Sequence, residues 1–142
     1  MKYNLLNVFT DGGARGNPGE SAVGVYIVDE KGNQVAALGK KIGIATNNVA
    51  EYMGVLEALS FIIENKKSLE EIERINFFLD SNLVCSQIRG FFKVKDAKLR
   101  DLLFKVRQKE QEINLPIYYS HIPREKNKKA DFLVNQALDG VF

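Results

Sequence analysis

With 142 residues, 27% of them charged and 45% hydrophobic, the chain has the size and composition of one globular domain, residues 1–142, able to bury roughly 68–70% of its unfolded surface without a metal or disulfide staple. A formal net charge of +2 is too small to argue for a polyanionic partner by itself. One cysteine, Cys85, excludes an intrachain disulfide and a cysteine-based zinc site. The beginning of the chain lacks a signal-like pattern and no run is apolar for long enough to span a bilayer, so the default expectation is a cytoplasmic protein with no membrane partner.

Residues 4–29 hold two apolar runs of strand length around a glycine-dense stretch, residues 11–19, which reads as a hairpin turn. Asp11 closes the first run. Counted by twos, it shares a face with Phe9, Asn7 and Leu5, while Leu6, Val8 and Thr10 take the other. Asp-Gly is also a common turn pair, so Asp11 has a purely local reading as the residue that opens the turn. A second turn at residues 30–33 leads to a third strand over residues 34–42. Thr46, Asn47 and Asn48 then offer capping side chains to a helix that runs to about residue 65, with Ala50, Met53, Leu56, Leu59, Ile62 and Ile63 at helical spacing. Glu51 is placed in its first turn, where the helix dipole favours a carboxylate.

The pattern then changes to strand, helix, strand, helix. Residues 74–79 form a strand ending at Asp80, Ser81 and Asn82 start a short helix to about residue 90, and a second helix covers residues 97–113. Pro116 opens a strand over residues 117–122, and a terminal helix spans residues 129–138 with Asp131 in its first turn and Phe132, Leu133 and Ala137 apolar. Cys85, among Leu83, Val84 and Ile88, reads as a small buried residue. The basic residues between 93 and 109 read as a solvated helix face. The element order is therefore βββαβααβα, an α/β arrangement with a five-stranded mixed sheet, helices on both faces and right-handed parallel crossovers.

Each carboxylate has a bland reading alone, but together they do not. Asp11 and Asp80 end strands, and Glu51 and Asp131 open helices. If the first and fourth strands are parallel neighbours, these four groups meet outside the carboxyl ends of the strands, where α/β sheets bind ligands. One pair of like charges at about 4 Å costs roughly 4 kcal/mol at an effective dielectric near 20. Such a cluster needs protons or cations. All-oxygen ligands suit Mg²⁺, with Mn²⁺ as a substitute, and two such ions form a clamp for phosphodiester hydrolysis.

The set Thr10-Asp11-Gly12-Gly13 with Gly16-Asn17-Pro18-Gly19, Thr46-Asn47-Asn48 with Glu51, Asp80-Ser81, and His121 ten residues before Asp131 resembles type 1 ribonuclease H over nearly the whole chain. The resemblance implies a ribonuclease H-like fold and an endonuclease that cuts the RNA strand of an RNA–DNA hybrid, leaving 5′-phosphate and 3′-hydroxyl ends. By position, Asp11, Glu51, Asp80 and Asp131 match its metal-binding catalytic carboxylates, with one ion activating water and a second stabilising the leaving oxygen. It further implies a proton-transfer or product-release role for His121, minor-groove contacts from Asn17, Asn47 and Asn48, and a DNA-phosphate contact from Thr46. Asn82 matches a substrate-side position more loosely. Amides can donate to and accept from 2′-hydroxyls, which separate RNA from DNA. His121 retains a plain reading as a polar strand end. A monomer is expected.

One departure stands out. Some members of that family carry a tryptophan- and lysine-rich protrusion that holds DNA, whereas here residues 90–96 are short and the chain has no tryptophan. Rival readings are an integrase or junction resolvase with similar acidic chemistry, an actin-like phosphotransfer fold, for which 142 residues supply only one of two domains, and a catalytically silent nucleic-acid-binding module.

Overall fold

The computed structural model describes residues 4–140. Five strands form one sheet in the order β3-β2-β1-β4-β5, namely β1 (Leu5–Arg15), β2 (Gly19–Asp29), β3 (Gln34–Ala45), β4 (Arg74–Leu79) and β5 (Ile117–His121). The first three form an antiparallel meander, and β4 pairs parallel with both β1 and β5. Four helices complete the fold: α1 (Asn47–Glu64), α2 (Asn82–Ile88), α3 (Ala97–Ile113) and α4 (Lys128–Leu138). The expected order and mixed sheet are observed.

Alternation along the strands builds the main core. Leu6 and Val8 of β1, Val25 and Ile27 of β2, and Ile75, Phe77 and Leu79 of β4 point to one face, where Val55, Leu59 and Ile62 of α1 and Leu102 and Val106 of α3 cover them. Helix ends are set locally. Thr46, Ser81 and Asp96 each accept a hydrogen bond from the backbone N–H three residues on, at 3.2, 3.2 and 2.9 Å, satisfying donors that the first turn leaves open. Asn114, in left-handed conformation (φ 57°), stops α3. Cys85 is buried in the core, as its neighbours imply. On the opposite face a smaller cluster joins Ala22 to Val134 and Ala137 of α4.

Three local expectations need correction. The turn read over residues 11–19 is confined to residues 16–18, because β1 continues through the glycines, pairing Asp11 with Gly24, Gly12 with Val23 and Gly13 with Ala22. The turn reading of Asp11 therefore fails. Gly12 is there for closeness: a Cβ on it would lie 2.0 Å from the Ala50 carbonyl oxygen of α1. Likewise β3 extends to Ala45, so Thr46 alone caps α1, Asn47 and Asn48 fill its first turn, and Glu51 lies beyond that turn. Phe132, read among the apolar residues of the last helix, is 61% exposed, while Ala130, Val134 and Ala137 make the packing face.

Candidate active site

The parallel register of β1 and β4 brings Phe9 opposite Phe78. Two residues further along each strand, Asp11 and Asp80 end up side by side. Glu51 comes from α1, which presses onto Gly12. A carboxylate oxygen from each of Asp11, Glu51 and Asp80 lies within 4.8 Å of the other two. Asp131 stands outside this trio but lines the same cleft. It arrives on α4, which seats on Gly24: a Cβ there would lie 2.2 Å from the Ala130 carbonyl oxygen. Two glycines thus let two helices sit against the sheet, each delivering a carboxylate from the next residue along.

The cleft has a volume of about 360 Å³, and its lining includes all four carboxylates with Asn47, Asn48 and Arg124. Asn17, Thr46, Asn82 and His121 are not part of that lining. Asn17 and Asn47 nonetheless shape its lip. Asn17 Oδ1 accepts from the Asn47 backbone N–H at 3.0 Å, and Asn47 Oδ1 accepts from the Ala14 N–H at 2.9 Å. Their amide oxygens are committed, so the Nδ2 groups are the ones left to donate. His121 is exposed at the end of β5, opposite Leu79, one step short of the level of Asp80. Asn82 is exposed at the start of α2, where its Oδ1 accepts from Ser86 Oγ at 3.4 Å.

Electrostatics follow from crowding and burial. Burial is the main force that pushes the Asp11 carboxyl up to about 7. A hydrogen bond with Glu51 opposes the rise, while the charges of Asp80 and Asp131 add to it. Glu51 is raised well above the usual carboxylate range, first by burial and then by the charge of Asp11. Glu51 Oε2 is buried and has no hydrogen-bond partner among the described residues. An orphaned oxygen on a carboxylate clustered with two more is what a hard cation with oxygen ligands would satisfy. The donor set therefore fits a divalent ion.

Sequence reasoning passed over Asn127. This residue is 1% exposed, and its Nδ2 donates to the Thr10 carbonyl oxygen and to Asp80 Oδ2, both at 2.9 Å. It ties the start of α4 to the middle of β1 and to the residue that follows β4. Its only sequence signal is a capping-type residue four positions before Asp131, and in the structure it makes no side-chain cap.

Comparison with known proteins agrees with this geometry. Residues 9–137 match the family described as reverse transcriptase-like. Over 135 residues the chain is 38% identical to ribonuclease HI of Halobacterium salinarum, an alignment covering 94% of this chain and 64% of that protein. It is 35% identical to a bifunctional protein of Mycobacterium tuberculosis over 91% of its own length and 34% of the relative's. The chain thus spans from about a third to just under two thirds of these relatives. Among solved structures, a ribonuclease H1 isolated from compost (LC11) superposes with a TM-score of 0.90 at 42% identity, covering 96% of this chain and 97% of that one. The LC11 enzyme has also been solved in complex with an RNA/DNA hybrid.

Proposed function

The chain belongs to the type 1 ribonuclease H family, and from that premise we propose that it is a metal-dependent endonuclease that hydrolyses the RNA strand of RNA–DNA hybrids to 5′-phosphate and 3′-hydroxyl ends. The observation that carries the reading is the trio Asp11, Glu51 and Asp80, converging from β1, α1 and β4 with a buried carboxylate oxygen left unbonded.

Asp11, Glu51 and Asp80, with Asp131 at the rim of the cleft, would hold two Mg²⁺ ions, or Mn²⁺ in their place. Divalent ions held there supply the positive charge that offsets an incoming phosphodiester and the charge that builds as its bond breaks. The chain's own residues do the positioning. Asn127 fixes the Asp80 carboxylate against β1. The Nδ2 groups of Asn17 and Asn47, with Asn48, would donate to 2′-hydroxyls in a minor groove. Thr46, at the α1 N-terminus, would contact a phosphate of the DNA strand. Asn82 is assigned to the substrate side. His121, exposed at the end of β5, would take or return a proton as product leaves. The reading treats residues 1–142 as one catalytic domain, monomeric and cytoplasmic; among the described residues no helix is long and apolar enough to cross a membrane.

The test is a gel comparing a hybrid duplex, double-stranded DNA and double-stranded RNA with Mg²⁺, Mn²⁺ or a chelator. Only the RNA of the hybrid should be cut, and only with metal. Cleavage of plain DNA would move the assignment to the resolvase or integrase branch.

A further inference from the structure

The sheet face that carries α4 is only partly covered. The helix seats on Gly13, Gly24 and Gly39, and on the half before Asp11 the side chains of Asn7, Phe9, Asn76 and Phe78 stay partly exposed. Register places its side chains in rows. Tyr26, Phe9 and Phe78 lie across β2, β1 and β4, and Asn7, Asn76 and Tyr118 lie across β1, β4 and β5. The Phe9 and Phe78 rings stack with centroids 4.9 Å apart, and Tyr26 follows at 6.3 Å. Tyr118 is 57% exposed. Of these aromatics only Tyr118 is more than half exposed, Phe9, Tyr26 and Phe78 being partly buried, and the Asn7 and Asn76 amides bond to each other at 3.1 Å in their midst.

The rim of this face is basic. A groove of about 160 Å³ runs from Phe9 and Tyr26 to residues 125–129, where Lys126, Lys128 and Lys129 outnumber Glu125. Lys129 Nζ lies 5.8 Å from the Tyr26 ring centroid. Arg74 is exposed at the other end, in register with Leu5. An exposed ring such as that of Tyr118, with partly buried rings beside it, accepts unpaired bases, which a duplex keeps inside its own stack, and flanking cations meet the phosphates. A second copy of this chain would bring the same lysines against themselves.

The geometry points to a second nucleic-acid site: the partly exposed half of the sheet, behind the catalytic cleft, is a stacking platform for single-stranded DNA. The choice of DNA rests on the proposed hydrolysis, because removing the RNA of a hybrid leaves its DNA unpaired. The platform begins at Phe9, two residues before Asp11 on the same strand.

Binding is read without cleavage, as fluorescence anisotropy of a labelled oligo-dT 12-mer in chelator, using the full chain. The parent should bind. Tyr118→Ala and Phe78→Leu should each weaken binding by roughly fivefold or more, as loss of a base–aromatic stack does, with unchanged circular dichroism. Tyr118 is exposed enough that its truncation leaves the fold intact should Phe78→Leu disturb it. Three outcomes overturn the proposal: no binding by the parent, parent-like binding by Tyr118→Ala, or oligo-U bound about tenfold tighter than oligo-dT. Sedimentation showing a dimer that Tyr118→Ala dissolves would instead assign the face to self-association and equally defeat it. Failure of the hydrolysis reading shows separately, as uncut hybrid in Mg²⁺.

Discussion

Glu51 reaches its place only because its helix lies against a glycine, and once there it is buried beside Asp11 with one oxygen unbonded. Such a pair resists ionising together, and the consequence for stability has a definite sign. Both groups have folded-state pKa values above their unfolded ones, Asp11 at about 7. The folded protein therefore holds more protons than the unfolded chain between the ordinary carboxylate range and about pH 7. Their contribution is fully present below that range and is lost as pH rises, that of Asp11 through about 7. Thermal unfolding in chelator should show Tm falling from pH 5 to 8, and Asp11→Asn should flatten the fall. Saturating Mg²⁺, which binds the ionised form, should restore Tm at the upper end. The same residues separate essential from auxiliary chemistry. Asp11→Asn should abolish hybrid cleavage, whereas His121→Ala should slow it by about 10²-fold, the typical weight of a proton-transfer group. Single-turnover rates on one hybrid compare them directly. Asp11, Glu51, Asp80 and Asp131 could be picked out of the sequence because each stands where an apolar run closes or a helical pattern opens, although β1 runs on past Asp11 and Glu51 lies beyond the first turn of α1. Asn127 was not, since its work is to bridge Thr10 and Asp80 across more than forty residues of chain.

Among the elements, α1 and α4 behave as carriers whose distance from the sheet decides where a carboxylate lands. At Gly12 the Ala50 carbonyl oxygen would be 2.0 Å from a new Cβ, so Gly12→Ala must lift α1 away from β1. Forced overpacking of this kind costs on the order of 3 kcal/mol, a Tm drop on the order of 10 °C for a chain of this size. Cleavage should fall much further than stability, because Glu51 moves with the helix. Calorimetry and a kcat measurement on the same sample would show whether the two losses separate. If activity tracked only the folded fraction, the carrier role of α1 would be wrong. Reading the glycines as turn signals missed this. Glycine marks a tight turn and a close backbone approach equally well, and only the helix opposite tells the two apart.

For the molecule as a whole, charge and exposed surface set how substrate is held. The segment between α2 and α3 is short, with Phe91 and Phe92 exposed, and the basic residues 93–105 face solvent. With no basic protrusion to grip DNA, hybrid binding should be weaker and less salt-dependent than in protrusion-bearing relatives. A KCl titration from about 50 to 200 mM should give the shallower slope of log K against log salt. An equal or steeper slope would mean that other cations, such as Arg124 and the lysines beside it, supply the missing phosphate contacts. Apolar residues spaced by two or by about 3.6, with capping side chains at their ends, were enough to establish the βββαβααβα order and to single out the acidic residues beside those apolar runs. These patterns are written over a few neighbouring residues. Tertiary structure alone decided that β1 runs through its glycines, that Asp11 falls level with Asp80, that two helices dock closely enough for Glu51 and Asp131 to share a cleft, and that half of one sheet face stays partly exposed. Each of those outcomes depends on which distant backbone lies opposite, and strand register and helix docking distance are properties of pairs of segments that no single segment carries.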